Sequence, residues 1–333
     1  MGGLTTSIVV PTFNRASRLE RLLRRLDELH AAGDRFETVV SVDGSTDGTA
    51  EMLAALRVRY PLRVVLGDNA GPCAARNRGM TAASGEIIIF LDDDVSPRDG
   101  LIERHLAIHR RDSQAAVIGP MLPPAGVVMP PWLRFEAAMM LRQYALFASG
   151  LAAPTHLHFY TANASLRRAN ALNAGGFDEK FKRQDDVEFA YRLAAAGAHF
   201  YFVAEAEVIH EPDRTLSGFL RMAYENGRYS VLMERKGHPH GRAVAYVEAR
   251  RHRLNRLPPR WGVGHRLRSR AMVAALTAAI RYRGPGRGRL QQAACHVLYN
   301  LLFWQGYAAE MGVGANLWRQ LETEWRARPA QFA

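Results

Sequence analysis

The sequence predicts an α/β fold: a mainly parallel β-sheet with helices on both faces, followed by a basic helical C-terminal region. Three observations carry this. Through the first two-thirds of the chain, short apolar runs alternate with amphipathic stretches, and the runs lack polar alternation, as strands covered on both faces do. Polar clusters follow several of the runs, where the strand ends of such a sheet form a ligand crevice. Charge is also divided: residues 1–213 hold 23 Lys+Arg and 26 Asp+Glu, whereas residues 214–333 hold 21 and 6.

The elements follow in order. Residues 7–10 form an apolar run that stops at Pro11, and residues 18–30 place Leu19, Leu22, Leu23, Leu26 and Leu29 at helical spacing. The β-branched run 36–42 ends in the turn-rich 43–48, and residues 49–58 read as a helix with Met52, Leu53 and Leu56 on one face. Residues 62–66 are a strand, and 72–83 are a helix entered through Gly71-Pro72. Residues 86–91 are a strand running straight into three carboxylates. Residues 120–160 are Pro-rich and less regular. Residues 163–168 then read as a strand, 184–197 as a helix, and 200–209 as a strand ending at His210. From residue 216 the chain reads mainly as helices, including an apolar stretch at 271–280, a flexible basic linker at 281–289 and an apolar helix at 293–311. Two domains are expected, 1–213 and 214–333.

Composition narrows the class. Apolar residues make up 48% and charged residues 23%, which is ordinary for a globular chain. Cys73 and Cys295 cannot build a disulfide framework and fit a reducing compartment. The N-terminal stretch has no basic flank followed by a long apolar run, so no secretory signal is expected. No stretch reaches the roughly 18 apolar residues of a spanning helix. The net charge of +12 lies in the second part, which points to an acidic partner there.

Several residues suggest chemistry. In extended chain, residues two apart share a face, so Asp92 and Asp94 of Asp92-Asp93-Asp94 can share a hard cation such as Mg²⁺ or Mn²⁺; the alternative is a solvated acidic loop. Gln184-Asp185-Asp186-Val187-Glu188 opens a helix, where acids compensate the dipole or supply a general base. His210 is either structural or a metal ligand. In Asp43-Gly44-Ser45-Thr46-Asp47-Gly48-Thr49, Asp47 can cap the following helix while Asp43 faces a ligand. Arg76 is either a surface residue or a phosphate partner.

Together these residues resemble the family 2 glycosyltransferases, whose fold is GT-A, a Rossmann-like nucleotide-diphospho-sugar transferase fold. The resemblance rests on Val9-Val10-Pro11-Thr12-Phe13-Asn14-Arg15, Asp43-Gly44-Ser45-Thr46-Asp47-Gly48-Thr49, Ala75-Arg76-Asn77-Arg78-Gly79, Phe90-Leu91-Asp92-Asp93-Asp94, Gly175-Gly176-Phe177-Asp178, Asp185-Asp186-Val187-Glu188-Phe189 and His210. It implies an inverting transferase that moves a sugar from a nucleotide-sugar, a UDP-sugar favoured, to a hydroxyl acceptor. Pro11, Thr12, Asn14, Asp43, Arg76, Asp92 and Asp93 would bind the donor, within a donor half of about 1–95 and an acceptor half of about 96–213. Asp92 and Asp94 would be the Asp-x-Asp pair, and with His210 would hold Mg²⁺ or Mn²⁺. Asp186 would be the general base, with Asp185 beside it. Val42 stands where the family often has the first Asp of Asp-Asp-Gly-Ser, and Asp185 stands where it has Glu.

The resemblance further implies a glycan or lipid-linked acceptor, cell-surface polysaccharide or glycolipid synthesis, and a cytoplasmic location. Residues 250–311 offer a basic and apolar surface for an anionic membrane, which would make the protein peripheral on the inner face. Nucleic acid is not expected, because the basic stretches lack interleaved stacking aromatics. Two other readings are a nucleotidyltransferase and a non-catalytic nucleotide-sugar or membrane-binding protein. The first needs a basic, Gly-rich loop after strand one, and Pro11-Thr12-Phe13-Asn14 is not that. The second predicts loss of Asp94, Asp186 or His210, yet all are present.

Overall fold

The computed structural model describes residues 5–238 and 266–312. The basic residues at 250–265 therefore lie outside the described residues. Two compact units emerge: Met1–Val127 with Met139–Pro212, and Val128–Ala138 with Asp213–Ala333.

The first unit opens with β1 (Thr6–Thr12), α1 (Ala16–Ala31), β2 (Glu37–Asp43), α2 (Thr49–Ala55), β3 (Leu62–Gly67), α3 (Pro72–Ala82) and β4 (Ile87–Leu91). It continues with β5 (Val95–Pro97), α4 (Leu101–His109), β6 (Ala115–Ile118) and β7 (Met121–Leu122); of α5 (Pro131–Ala148), the residues from Met139 onward belong to it and the earlier ones to the second unit. It closes with β8 (Asn163–Arg167), α6 (Arg168–Asn173), α7 (Asp185–Ala195), β9 (His199–Phe202) and β10 (Val208–His210). Seven strands form one sheet in the order β3-β2-β1-β4-β8-β6-β9. All neighbours are parallel except β8, which runs against both β4 and β6. Strands β5, β10 and β7 form a small second sheet.

Strand residues alternate between two cores. Ile8, Val10, Val40, Val42, Ile87, Ile89 and Leu91 pack on the leucine face of α1. Val9, Val39, Ile88 and Phe90 pack on the other side with Met80, Phe177 and Phe189. This is why the runs carry no polar alternation: both faces are covered. The sheet order reverses direction at β1, with β2 on one side and β4 on the other, so the crevice opens beyond the carboxyl ends of these strands.

The structure departs from three of these expectations. The stretch 120–160 is not mainly irregular, because α5 runs for 18 residues within it. The single strand expected at 200–209 is two, β9 and β10, separated by a turn closed by Ala206 N–H donating to Val203 O. The basic linker 281–289 is partly helical.

In the second unit, α8 (Leu216–Arg235) is followed by α9 (Arg266–Arg281) and α10 (Arg287–Met311). Gly286, in the left-handed region at φ 70°, caps the start of α10. Helices α8 and α10 touch backbone to backbone. A Cβ on Gly227 would overlap the Phe303 carbonyl, and one on Gly306 would overlap the Tyr224 carbonyl. Leu298, Leu301, Trp304 and Tyr307 of α10 are fully buried. Tyr307 donates its hydroxyl to Glu234 at 2.8 Å. Among the described residues no helix is long and apolar enough to cross a membrane.

Candidate active site

The loops after β1 and β2 are stitched together. Asn14, at φ 53°, donates its backbone N–H to Ser45 Oγ at 2.9 Å and accepts from Thr46 N at 2.7 Å. Asp47 accepts from Ala16 N at 3.0 Å, so it caps α1 as well as bonding Thr49 at the start of α2. Phe13 is left 44% exposed between these loops.

Asp43 is buried and held by three donors. It accepts from Ala70 N at 3.1 Å, Gly71 N at 2.8 Å and Arg78 at 2.6 Å. Its immediate role is to fix the β3–α3 loop, and Arg78 is its charge partner. Val42 points to the opposite side of the sheet and is core. Pro11 lies in β1 opposite Ser41, partly exposed.

After β4 the burial alternates: Asp93 and Val95 are buried, while Asp92 and Asp94 are partly exposed. Asp93 and Asp94 form a turn between β4 and β5, so the extended spacing expected for Asp92 and Asp94 does not hold: Asp92 meets Arg76, whereas one Arg15 nitrogen spans Asp93 and Asp94. Thr12 Oγ1 donates to Asp93 Oδ2 at 2.7 Å, joining the ends of β1 and β4. Arg15 reaches Asp93 at 3.0 Å and Asp94 at 2.8 Å. Arg18 lies 3.8 Å from Asp94. Burial pushes the Asp93 carboxyl up to about 6, against the pull of Arg15 and the Thr12 hydroxyl.

Arg76, buried in α3, bridges two parts of the chain. It donates to Asp92 at 2.9 Å and to Asp185 at 2.9 Å, and stands over the Phe177 ring. Burial disfavours its charge, but Asp92 and Asp185 outweigh that and raise its pKa. The bridge brings the first turn of α7 to the carboxylate cluster, and Asp186 comes with it. Asp186 Oδ1 accepts from Val187 N at 2.8 Å. Burial, then the neighbouring Asp185, push the Asp186 carboxyl up to about 7.

Strand β10 carries His210 to Asp94. The β5–β10 ladder pairs His210 with Val95, and Glu211 N donates to Asp94 O at 2.9 Å. His210 Nε2 ends 3.6 Å from Asp94 Oδ1, an oxygen that is buried and has no hydrogen-bond partner among the described residues. The structure therefore brings Asp94 and His210 together and turns Asp92 to Arg76. No cluster of three His, Cys, Asp or Glu ligands forms among the described residues.

Arg15, Arg18 and Arg78 had no role in the sequence reading. The available signal was the i, i+3 spacing of Arg15 and Arg18 at the start of α1, on the side of the carboxylates.

A family model described as Glycosyl transferase family 2 matches residues 7–175. The chain belongs to glycosyltransferase family 2. It is 31% identical over 233 residues to validoxylamine A glucosyltransferase of Streptomyces hygroscopicus subsp. jinggangensis, covering 62% of this chain and 55% of that one. It is 28% identical over 236 residues to pre-mycofactocin glycosyltransferase of Mycobacterium tuberculosis, covering 70% and 48%. The chain thus spans about half the length of these curated relatives. Its fold is that of GT-A glycosyltransferases. The solved mannosyltransferase PcManGT from Pyrobaculum calidifontis, in complex with GDP-Man and Mn²⁺, superposes with a TM-score of 0.63 at 20% identity, over 93% of this chain and 88% of that one. S. aureus TarS 1-349 in complex with UDP-GlcNAc gives 0.53 at 16% identity, over 93% and 92%.

Proposed function

We propose that this glycosyltransferase moves a sugar from a nucleoside-diphosphate sugar to a hydroxyl acceptor with inversion, Asp186 acting as general base. The observation that carries the reading is the Asp92–Arg76–Asp185 bridge, which sets Asp186 beside the strand-end carboxylates. Asp185 is committed to Arg76, whereas the raised pKa of Asp186 suits a base working near neutrality. Asp186 would accept the proton from the acceptor hydroxyl as that oxygen attacks the anomeric carbon and the bond to the diphosphate breaks.

Asp94 and His210 fit a divalent cation. A buried carboxylate oxygen without a hydrogen bond faces an imidazole nitrogen, and donor phosphates and water would fill the remaining positions. A bound Mg²⁺ or Mn²⁺ supplies charge neutralisation for the departing diphosphate. Thr12 and Asp93 close the floor of the donor crevice. Phe13 offers an aromatic face at its mouth.

Neighbours bind GDP-Man in one case and UDP-GlcNAc in another, so uridine and guanosine are the bases to compare first. The names of the two relatives add small molecules to glycans and lipid-linked sugars as acceptors to try. We place the reaction in the cytoplasm, in keeping with two buried free cysteines. Any contact with an anionic membrane would rest on the basic residues and on the few apolar side chains of α10 that reach the surface, such as Leu290, because Leu298, Leu301, Trp304 and Tyr307 are buried.

The test is a thermal-shift screen of UDP, GDP and their sugars with and without Mn²⁺. A ligand at 100 times its dissociation constant should add about 2.7 kcal/mol of stability. A cation-dependent shift with one nucleotide supports the donor site, and no shift with any of them overturns it. Asp186→Asn should then lower turnover by about 10²–10⁴ with donor binding retained.

A further inference from the structure

Four buried polar side chains of the first unit take no part in the proposed reaction. Asn163 opens β8 opposite Leu91, the residue before the carboxylate cluster, and is fully buried. Its amide nitrogen donates to Ala206 O at 2.7 Å and Pro120 O at 3.2 Å. Its Oδ1 is then the acceptor that faces His105 Nε2 at 3.1 Å. His105 must carry its proton on Nε2, which leaves Nδ1 to accept from Ser165 Oγ at 2.8 Å. Ser165 Oγ in turn accepts from His109 Nε2 at 2.7 Å. The network assigns each proton in one direction, from His109 through Ser165 and His105 to Asn163 and the two carbonyls. Burial pushes His105 down to about 4 and His109 down to about 3, so the neutral rings this order requires are those present at neutral pH.

The two carbonyls mark a corner of the fold. Pro120 leads into β7 and also accepts from Val208 N at 3.0 Å. Ala206 leads into β10, which ends in His210. Gly119 N donates to Asn163 O at 3.1 Å, and a Cβ on Gly119 would overlap the Ala206 carbonyl. The corner therefore closes around the Asn163 amide with no room for a larger residue.

We propose that Asn163, oriented by the His105–Ser165–His109 chain, is a positioning residue for His210, fixing the corner from which β10 presents that imidazole to Asp94. The inference rests on the reading of Asp94 and His210 as cation ligands. Partners of metal ligands are worth about 10–100-fold in metal affinity, and this network acts one step further out.

The experiment measures Mn²⁺ binding to the full chain by electron paramagnetic resonance of the free ion, in wild type, His210→Ala, His105→Leu and His105→Gln. Amide hydrogen exchange is followed at residues 119–122 and 206–210. His105→Leu should weaken Mn²⁺ binding about tenfold and speed exchange at both segments, leaving β1 and β2 protected. His105→Gln keeps a donor toward Asn163 Oδ1 and should recover both. Unchanged Mn²⁺ affinity in His105→Leu, with binding lost in His210→Ala, overturns the inference. Equal binding in wild type and His210→Ala overturns the cation-ligand reading beneath it, and the inference with it. Should His105→Leu fail to fold, Ser165→Ala interrupts the same chain without adding bulk. It should weaken Mn²⁺ binding in the same direction, and a folded Ser165→Ala with wild-type affinity refutes the proposal.

Discussion

Asp186→Asn is expected to stabilise the protein and disable it together. In the folded chain the Asp186 carboxyl is pushed from its ordinary 3.8 up to about 7. Between those values the folded protein holds a proton that the unfolded chain has lost, so stability falls as pH rises and the loss is complete above about 7. Three pH units at 1.36 kcal/mol each set a ceiling of about 4 kcal/mol. Asp186 keeps part of its surface in water, which screens the effect, so about 1–2 kcal/mol is the working figure. Asn carries no charge and can still accept from Val187 N. At about 2–4 °C per kcal/mol, the variant should melt about 2–8 °C above wild type at pH 8. The gap should shrink steadily from pH 7 down to pH 4. Thermal unfolding at four pH values reads this without donor or acceptor. A variant that melts at or below wild type at pH 8, or a gap that widens toward acid, would refute the placement of this carboxyl.

Three further outcomes are expected. Arg15→Met removes a half-exposed guanidinium from Asp94, and such pairs are worth up to about 1 kcal/mol, so Mn²⁺ should bind about two- to fivefold tighter by the same resonance measurement; weaker binding would show that Arg15 organises the site instead. Gly306→Ala must part α8 from α10 and should cost about 1–3 kcal/mol in urea unfolding, whereas Gly288→Ala, with open space around it, should gain a few tenths. Phe13→Ala should weaken nucleotide binding by about 0.5–1.5 kcal/mol in calorimetry and leave the melting temperature of the free protein unchanged, and equal affinity would remove Phe13 from the donor crevice.

Much of this architecture was legible. The leucines of α1 announce their helix by spacing, and the alternation of Ile87–Leu91 between two cores explains a run that looks uniformly apolar. The carboxylates after β4 and the acids opening α7 could be placed because strand ends and helix starts are local features. What could not be read is pairing at a distance. Arg76 joins Asp92 to Asp185, the latter 109 positions away from it in sequence, and nothing near Arg76 names that partner. Helix α5 escaped notice because Met139, Leu141 and Leu146 are exposed and follow no single buried face, while Pro130 and Pro131 look like loop. The break between β9 and β10 has no Gly or Pro to mark it. Asp43 reads as a ligand residue in sequence, and the two backbone amides and Arg78 that hold its carboxylate could not be read there.

The antiparallel strand β8 also divides the sheet along the chain. The β3-β2-β1-β4 half, with Arg15, Arg76 and Asp92 through Asp94, comes wholly from residues that precede β8. Asp186 and His210 come from residues that follow it, and β8 covers Ile87–Leu91. Without β8 that strand, five apolar residues long, would be a bare edge of the kind that recruits other chains. The half that carries the acidic cluster is therefore not separable as a module. A fragment ending before Asn163 should associate with itself during synthesis, and one extending through Arg167 should do so far less.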